Sequence, residues 1–133
     1  MHRIVYVPID ELKPHEEVKP KKFSAFARFA SRIGKNRIRL QPLWIDEKTK
    51  VILDGHHRYS VFQSLGCRTV PCIPVQYLED NSITVLPRKP DIPVSKQIVI
   101  DRGLSGIPFP AKTTKHVFPQ PAPFLWIDVK KCR

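Results

Sequence analysis

The chain has 133 residues, 41% hydrophobic and 26% charged, with 23 Lys+Arg against 12 Asp+Glu and a formal net charge of +11. These proportions are those of a soluble globular protein with a single core. No stretch approaches the ~20 apolar residues of a membrane span and no apolar run follows the N-terminus as a signal peptide requires, so a cytoplasmic protein is expected. The positive excess favours anionic partners, either nucleic acid or a polyphosphate nucleotide, without choosing between them. Its plainer meaning is a solvated basic helix face.

In chain order, Arg3–Ile9 alternates apolar residues with others and reads as a first strand. Asp10–Glu16 turns away, with Asp10 placed to cap a short helical turn. Glu16, between His15 and Glu17, is the first carboxylate suited to chemistry. Partial burial beside a second carboxylate would raise its pKa toward general-base range. Residues 20–34 form an amphipathic helix, with Phe23, Phe26, Ala27, Ala30 and Ile33 on one face and Gly34 as the stop. Gln41–Asp46 resumes as a strand, and Glu47–Lys50 turns it into the short apolar strand Val51–Leu53.

The next residues, Asp54-Gly55-His56-His57-Arg58, lead into a helix on which Tyr59, Phe62 and Leu65 recur, with Gly66 at its left-handed end. A polar pentad at a strand-to-helix turn gathers unpaired backbone N–H groups, the positive end of the dipole, two imidazoles and a guanidinium. That combination suits a phosphate group. Asp54 fits either as the helix cap or as a carboxylate facing a metal. A capped helix with solvated histidines is the bland alternative.

Beyond it, Thr69–Tyr77 is extended, and its prolines argue for a sheet edge. Ser82–Leu86 and Gln97–Ile100 read as strands around a loop at Pro87–Pro93, and Phe124–Val129 as a last strand before a basic tail. Most of the fourteen prolines fall in this half, which is expected to be loop-rich. Lys112-Thr113-Thr114-Lys115-His116 offers cations, hydroxyls and an imidazole to phosphate oxygens but lacks the glycines of a P-loop. Cys67, Cys72 and Cys132 are odd in number, lack zinc spacing, and read as reduced thiols.

Three stretches together, Lys13-Pro14-His15-Glu16, the pentad, and Lys112-Thr113-Thr114-Lys115-His116-Val117, resemble the archaeal free L-serine kinases of the ParB/sulfiredoxin-like superfamily. The resemblance implies an α+β fold: a single compact domain over 1–133, a mixed sheet, two main helices and a proline-rich C-terminal extension. Residues 1–86 would be the nucleotide-binding core, and 87–133 the loop-rich part carrying the Lys-Thr-Thr-Lys-His loop. It also implies phosphoryl transfer from ATP or ADP to free L-serine, giving O-phospho-L-serine for cysteine biosynthesis. Glu16 would be the base, and Asp54 would bind Mg²⁺ directly or through water. Gly55, His56, His57, Arg58, Lys112, Thr113, Thr114, Lys115 and His116 would hold phosphates. No membrane and no specific nucleic acid are expected as partners. Sulfiredoxin is disfavoured, because His56 and His57 stand where its reactive cysteine would be. A non-catalytic nucleotide- or DNA-binding ParB-like module remains the alternative, and the pairing of Glu16 with the Lys-Thr-Thr-Lys-His loop separates the two, since a binding module needs phosphate ligands but no carboxylate base opposite them.

Overall fold

The computed structural model describes residues 3–18 and 37–133; the helix expected over 20–34 lies outside them. In chain order the described elements are β1 (Val5–Pro8), β2 (Arg37–Leu40), β3 (Leu43–Asp46), β4 (Ile52–Asp54), α1 (His56–Ser64), β5 (Thr69–Val75), β6 (Thr84–Pro87), α2 (Lys96–Ser105), β7 (Thr114–Val117), β8 (Leu125–Asp128) and α3 (Val129–Cys132). A mixed four-stranded sheet runs β1-β5-β3-β4, parallel only between β3 and β5. Two antiparallel ribbons, β2–β8 and β6–β7, flank it.

The inner strands bury both faces, so their sequences read as continuous apolar runs. Leu43, Ile45, Ile52, Val70 and Cys72 join one cluster with Val61 and Phe62 of α1 and with Ile38, Leu40 and Ile127 of the β2–β8 ribbon. Trp44, Val51, Leu53 and Ile73 join the other, with Val99 and Ile100 of α2 and with Tyr77 and Ile83. Alternation along each strand sends neighbours to opposite clusters, at roughly 1.5–3 kcal/mol per large side chain buried. Helix α2 approaches so closely that a Cβ on Gly103 would lie 2.6 Å from Val51 Cγ1.

Several expectations are corrected here. Gln97–Ile100 is not a strand but part of α2, capped by the Ser95 side chain and ended by left-handed Gly106. Val99 and Ile100 of its β-branched run, with Gly103, are the buried helix face. Strand β5 is interior rather than an edge. Its prolines are tolerated because each lies past the end of one flanking ladder: Pro71 precedes the pairing with β3, which starts at Cys72, and Pro74 follows the pairing with β1, which ends there. The turn Ile9–Glu11 begins at Pro8 without a side-chain cap, so Asp10 does not serve as one. The C-terminal residues are woven in, since β8 returns to pair with β2. That return also brings Cys132 against Cys67, and the two form a disulfide, leaving only Cys72 as a free thiol, buried. Among the described residues no helix is long and apolar enough to cross a membrane.

Candidate active site

The first wall of the site is local. Strand β4 ends at Asp54, and Gly55, with φ of 104°, turns the chain into α1. A side chain at Gly55 would be strained by that φ and crowded, its Cβ 2.7 Å from Leu43 Cδ2 and 2.8 Å from Arg58 Nη2. Glycine, not Asp54, is therefore the cap residue. The first helical bond runs from Tyr59 N–H to the Gly55 carbonyl, so the N–H groups before it have no acceptor within the helix. Arg58 donates from Nη1 to Gln41 Oε1 at 3.2 Å and from Nη2 to Asp54 Oδ2 at 3.3 Å. Its buried Nε has no hydrogen-bond partner among the described residues.

The opposite wall is assembled from distant segments. Lys13 N–H donates to the Lys50 carbonyl and Ile52 N–H to the Lys13 carbonyl, which lays the Lys13–Glu16 segment beside β4. Phe109 N–H then donates to the His15 carbonyl, and Glu17 N–H to the Phe109 carbonyl. This brings the 109–114 loop onto Glu16. Glu16 Oε1 accepts from Lys112 N–H at 3.0 Å, and Oε2 accepts from Thr114 N–H at 2.9 Å and from the Thr114 hydroxyl. Lys112 holds a left-handed φ of 58°, a conformation that costs a non-glycine residue about 1–3 kcal/mol.

Between the walls lies a cleft of about 310 Å³. Burial alone would push the Glu16 carboxyl up, as the sequence suggested. Hydrogen bonds from the His15 and Thr114 side chains and from the Thr114 N–H outweigh it and bring the pKa down to about 2. The expected rise is thus corrected: Glu16 is an ionised carboxylate. Wholly buried His15 explains part of this. Its Nδ1 faces the Ile52 carbonyl at 2.6 Å and so donates; its Nε2 lies 2.9 Å from the Thr114 hydroxyl, whose own hydrogen goes to Glu16. The ring lies 3.6 Å from the Glu16 carboxylate and reaches it through the Thr114 hydroxyl. The neighbouring imidazoles are neutral. Burial first, then His15, holds His56 well below its ordinary value of 6.5 and lowers His116 to about 3.

All but one of the expected site residues line this one cleft: Glu16, Asp54, Gly55, His56, His57, Arg58, Lys112, Thr114, Lys115 and His116. Thr113 is the exception, fully buried with its hydroxyl on the Pro110 carbonyl at 2.6 Å. His56 is turned inward, where Nε2 accepts from the N–H groups of His15 and Glu16 at 3.1 and 3.3 Å, so its ring braces the opposite wall. His116 Nε2 meets the Tyr77 hydroxyl at 2.8 Å. Sequence reasoning missed two residues. Arg88 lines the cleft but stands beside Lys89 in a proline-rich loop with no motif around it. His15 was named only as a neighbour of Glu16.

The fold is that of the free serine kinases: one such kinase, solved in complex with AMP, superposes with a TM-score of 0.83 over 98% of this chain and 93% of that one, at 15% identity. No family model matches the chain. By sequence it is similar to the ADP-dependent L-serine kinase of Thermococcus kodakarensis, 31% identical over 81 residues that make up 58% of this chain and 32% of the relative. It is also similar to a ParB-like protein of Sulfolobus acidocaldarius, 32% identical over 76 residues, 57% of this chain and 36% of that protein. The chain spans about a third of the length of the curated relatives it matches.

Proposed function

We propose that this chain transfers a phosphoryl group from an adenine nucleotide, ATP or ADP, to the hydroxyl of free L-serine, giving O-phospho-L-serine for cysteine biosynthesis. The observation that carries the reading is Glu16, an ionised carboxylate standing across one cleft from the helix N-terminus that collects anions. A binding module without catalysis would need that carboxylate only to anchor the Lys112–Thr114 backbone, whereas a kinase also needs it to face the acceptor hydroxyl.

In this reading the N–H groups at the start of α1, with Arg58 and His57, hold the donor's phosphates, and Lys112 and Lys115 approach from the opposite wall. His56 contributes its backbone N–H and Thr114 its grip on Glu16, while Arg88 adds a guanidinium suited to a phosphate or to the carboxylate of serine. Glu16 Oε1 accepts one bond and keeps a lone pair for the serine hydroxyl. The serine oxygen bonds to the terminal phosphorus as the bond to the departing nucleotide oxygen breaks, and its proton passes to Glu16. A carboxylate this weakly basic orients the O–H and takes the proton late, which a loose phosphoryl-transfer transition state permits.

Mg²⁺ fits Asp54, a half-exposed carboxylate lining the cleft beside the helix start. Among the described residues no cluster of three metal-ligating side chains exists, which suits an ion held by one carboxylate and the substrate's phosphates. When bound, the ion would neutralise charge on the donor. The test is incubation with L-serine, Mg²⁺ and either ATP or ADP, followed by mass spectrometry. Phosphoserine that vanishes in Glu16→Ala is expected; none with either donor would leave the binding module as the better reading.

A further inference from the structure

The chemistry above uses few of the chain's cations. Residues 19–39 hold Lys19, Lys21, Lys22, Arg28, Arg32, Lys35, Arg37 and Arg39 and no acid, and the last four residues include Lys130, Lys131 and Arg133. The fold joins the ends of these two runs, because β2 closes the first and its partner β8 leads into the second. The inner side chains of this ribbon, Ile38, Leu40 and Ile127, are core. On the outer face, Arg37 lies 5.0 Å from the Trp126 ring centroid and Arg39 lies 5.1 Å from that of Phe124. Trp126 is nevertheless 58% exposed and Phe124 59% exposed. The one acid in the register, Asp128 opposite Arg37, is turned to the N–H groups of Lys130 and Lys131.

A single exposed aromatic residue needs no explanation. Two of them alternating with two guanidiniums, on a ribbon whose strands adjoin both basic runs in sequence, form a different object. We infer that this face is a platform for single-stranded nucleic acid, with phosphates on Arg37, Arg39 and the adjoining cations and bases stacked on Trp126 and Phe124. Backbone anions complement the charge, and aromatic rings take any base by its face. A duplex hides those faces. Rings two residues apart on a strand are also spaced ~7 Å, about twice the 3.4 Å base step of a duplex strand, so the bases must be drawn apart.

The test is fluorescence anisotropy with labelled oligo-dT and oligo-U of about 12 nucleotides and with a duplex of the same length, at roughly 50–200 mM salt. Both single strands should bind more tightly than the duplex. Trp126→Ala and Phe124→Ala should each weaken binding about 5- to 100-fold. Arg37→Ala and Arg39→Ala should each reduce the log–log salt slope by about 0.7. Phe124→Leu, which keeps the apolar bulk, guards against a folding artefact and should lose binding too. Duplex binding as tight as single-strand binding, or affinity indifferent to both rings, overturns the inference. So does a dimer in sedimentation velocity that Trp126→Ala dissolves, because the face would then cover a second copy. Phosphoserine formation by these variants should match that of the unaltered chain, so this inference and the kinase reading fail separately.

Discussion

The two walls of the cleft are built in opposite ways. The wall at Gly55–Arg58 takes its backbone shape from consecutive residues, a strand end, one left-handed glycine and a helix start. The wall at Lys112–His116 takes its shape from Glu16 and His15, nearly a hundred positions earlier. A helix start with its cations can be written locally, whereas a carboxylate facing it must be held by the whole fold. Substitutions should therefore damage the two walls differently.

The largest effect is expected at Glu16. Glu16→Gln places an amide NH₂ where at least one backbone donor now finds an oxygen, and it removes the proton acceptor. Turnover should fall ~10²–10⁴-fold, and limited proteolysis should quicken at the 109–114 loop; a Gln variant with normal turnover would end the assignment. Thr114→Val cuts the link between His15 and Glu16 and leaves buried polar groups unpaired, at a cost of about 1–3 kcal/mol. Thr114→Ser should restore most of that in chemical denaturation, since it keeps the hydroxyl. On the local wall, Arg58→Ala should weaken ATP or ADP binding roughly 10–100-fold by calorimetry. Its melting temperature should move little, because the ion pair with half-exposed Asp54 is worth about 1 kcal/mol or less.

The smallest effect is expected from pH. His56 and His116 are held neutral below their ordinary value of 6.5, so the unfolded chain takes up protons that the folded one refuses. Stability present above about pH 6.5 should fall as the pH drops toward 3. Glu16, lowered from 4.5 to about 2, adds a second loss across that lower window. Urea melts between neutral and acid pH would show this, and a flat profile would contradict the buried, neutral imidazoles.

The same contrast explains what could be read in the sequence. The local wall was legible because its signals lie in one short run of chain, residues 51–66: Val51–Leu53, the pentad, and Gly66 with its positive φ. The Lys-Thr-Thr-Lys-His loop stands out by its cations and hydroxyls, but the inward turn of Thr113 depends on the Pro110 carbonyl and leaves no mark in residue type. Gln97–Ile100 misled because β-branched residues fill a buried helix face as readily as a strand. Ser95 and Gly106, a cap and a stop, were the overlooked signs. The pairing of β2 with β8, and with it the Cys67–Cys132 bond, rests on contacts that no local pattern encodes.

The fit of α2 against β4 carries a consequence for sequence change. Gly103 presses on Val51 from outside the cleft, yet the space there admits only a hydrogen. Even Gly103→Ala must push the helix away from the strand that ends in Asp54. In a saturation library selected for activity, position 103 should thus be as intolerant as the cleft itself, and the few survivors should carry a second change that shrinks Val51 to alanine or glycine.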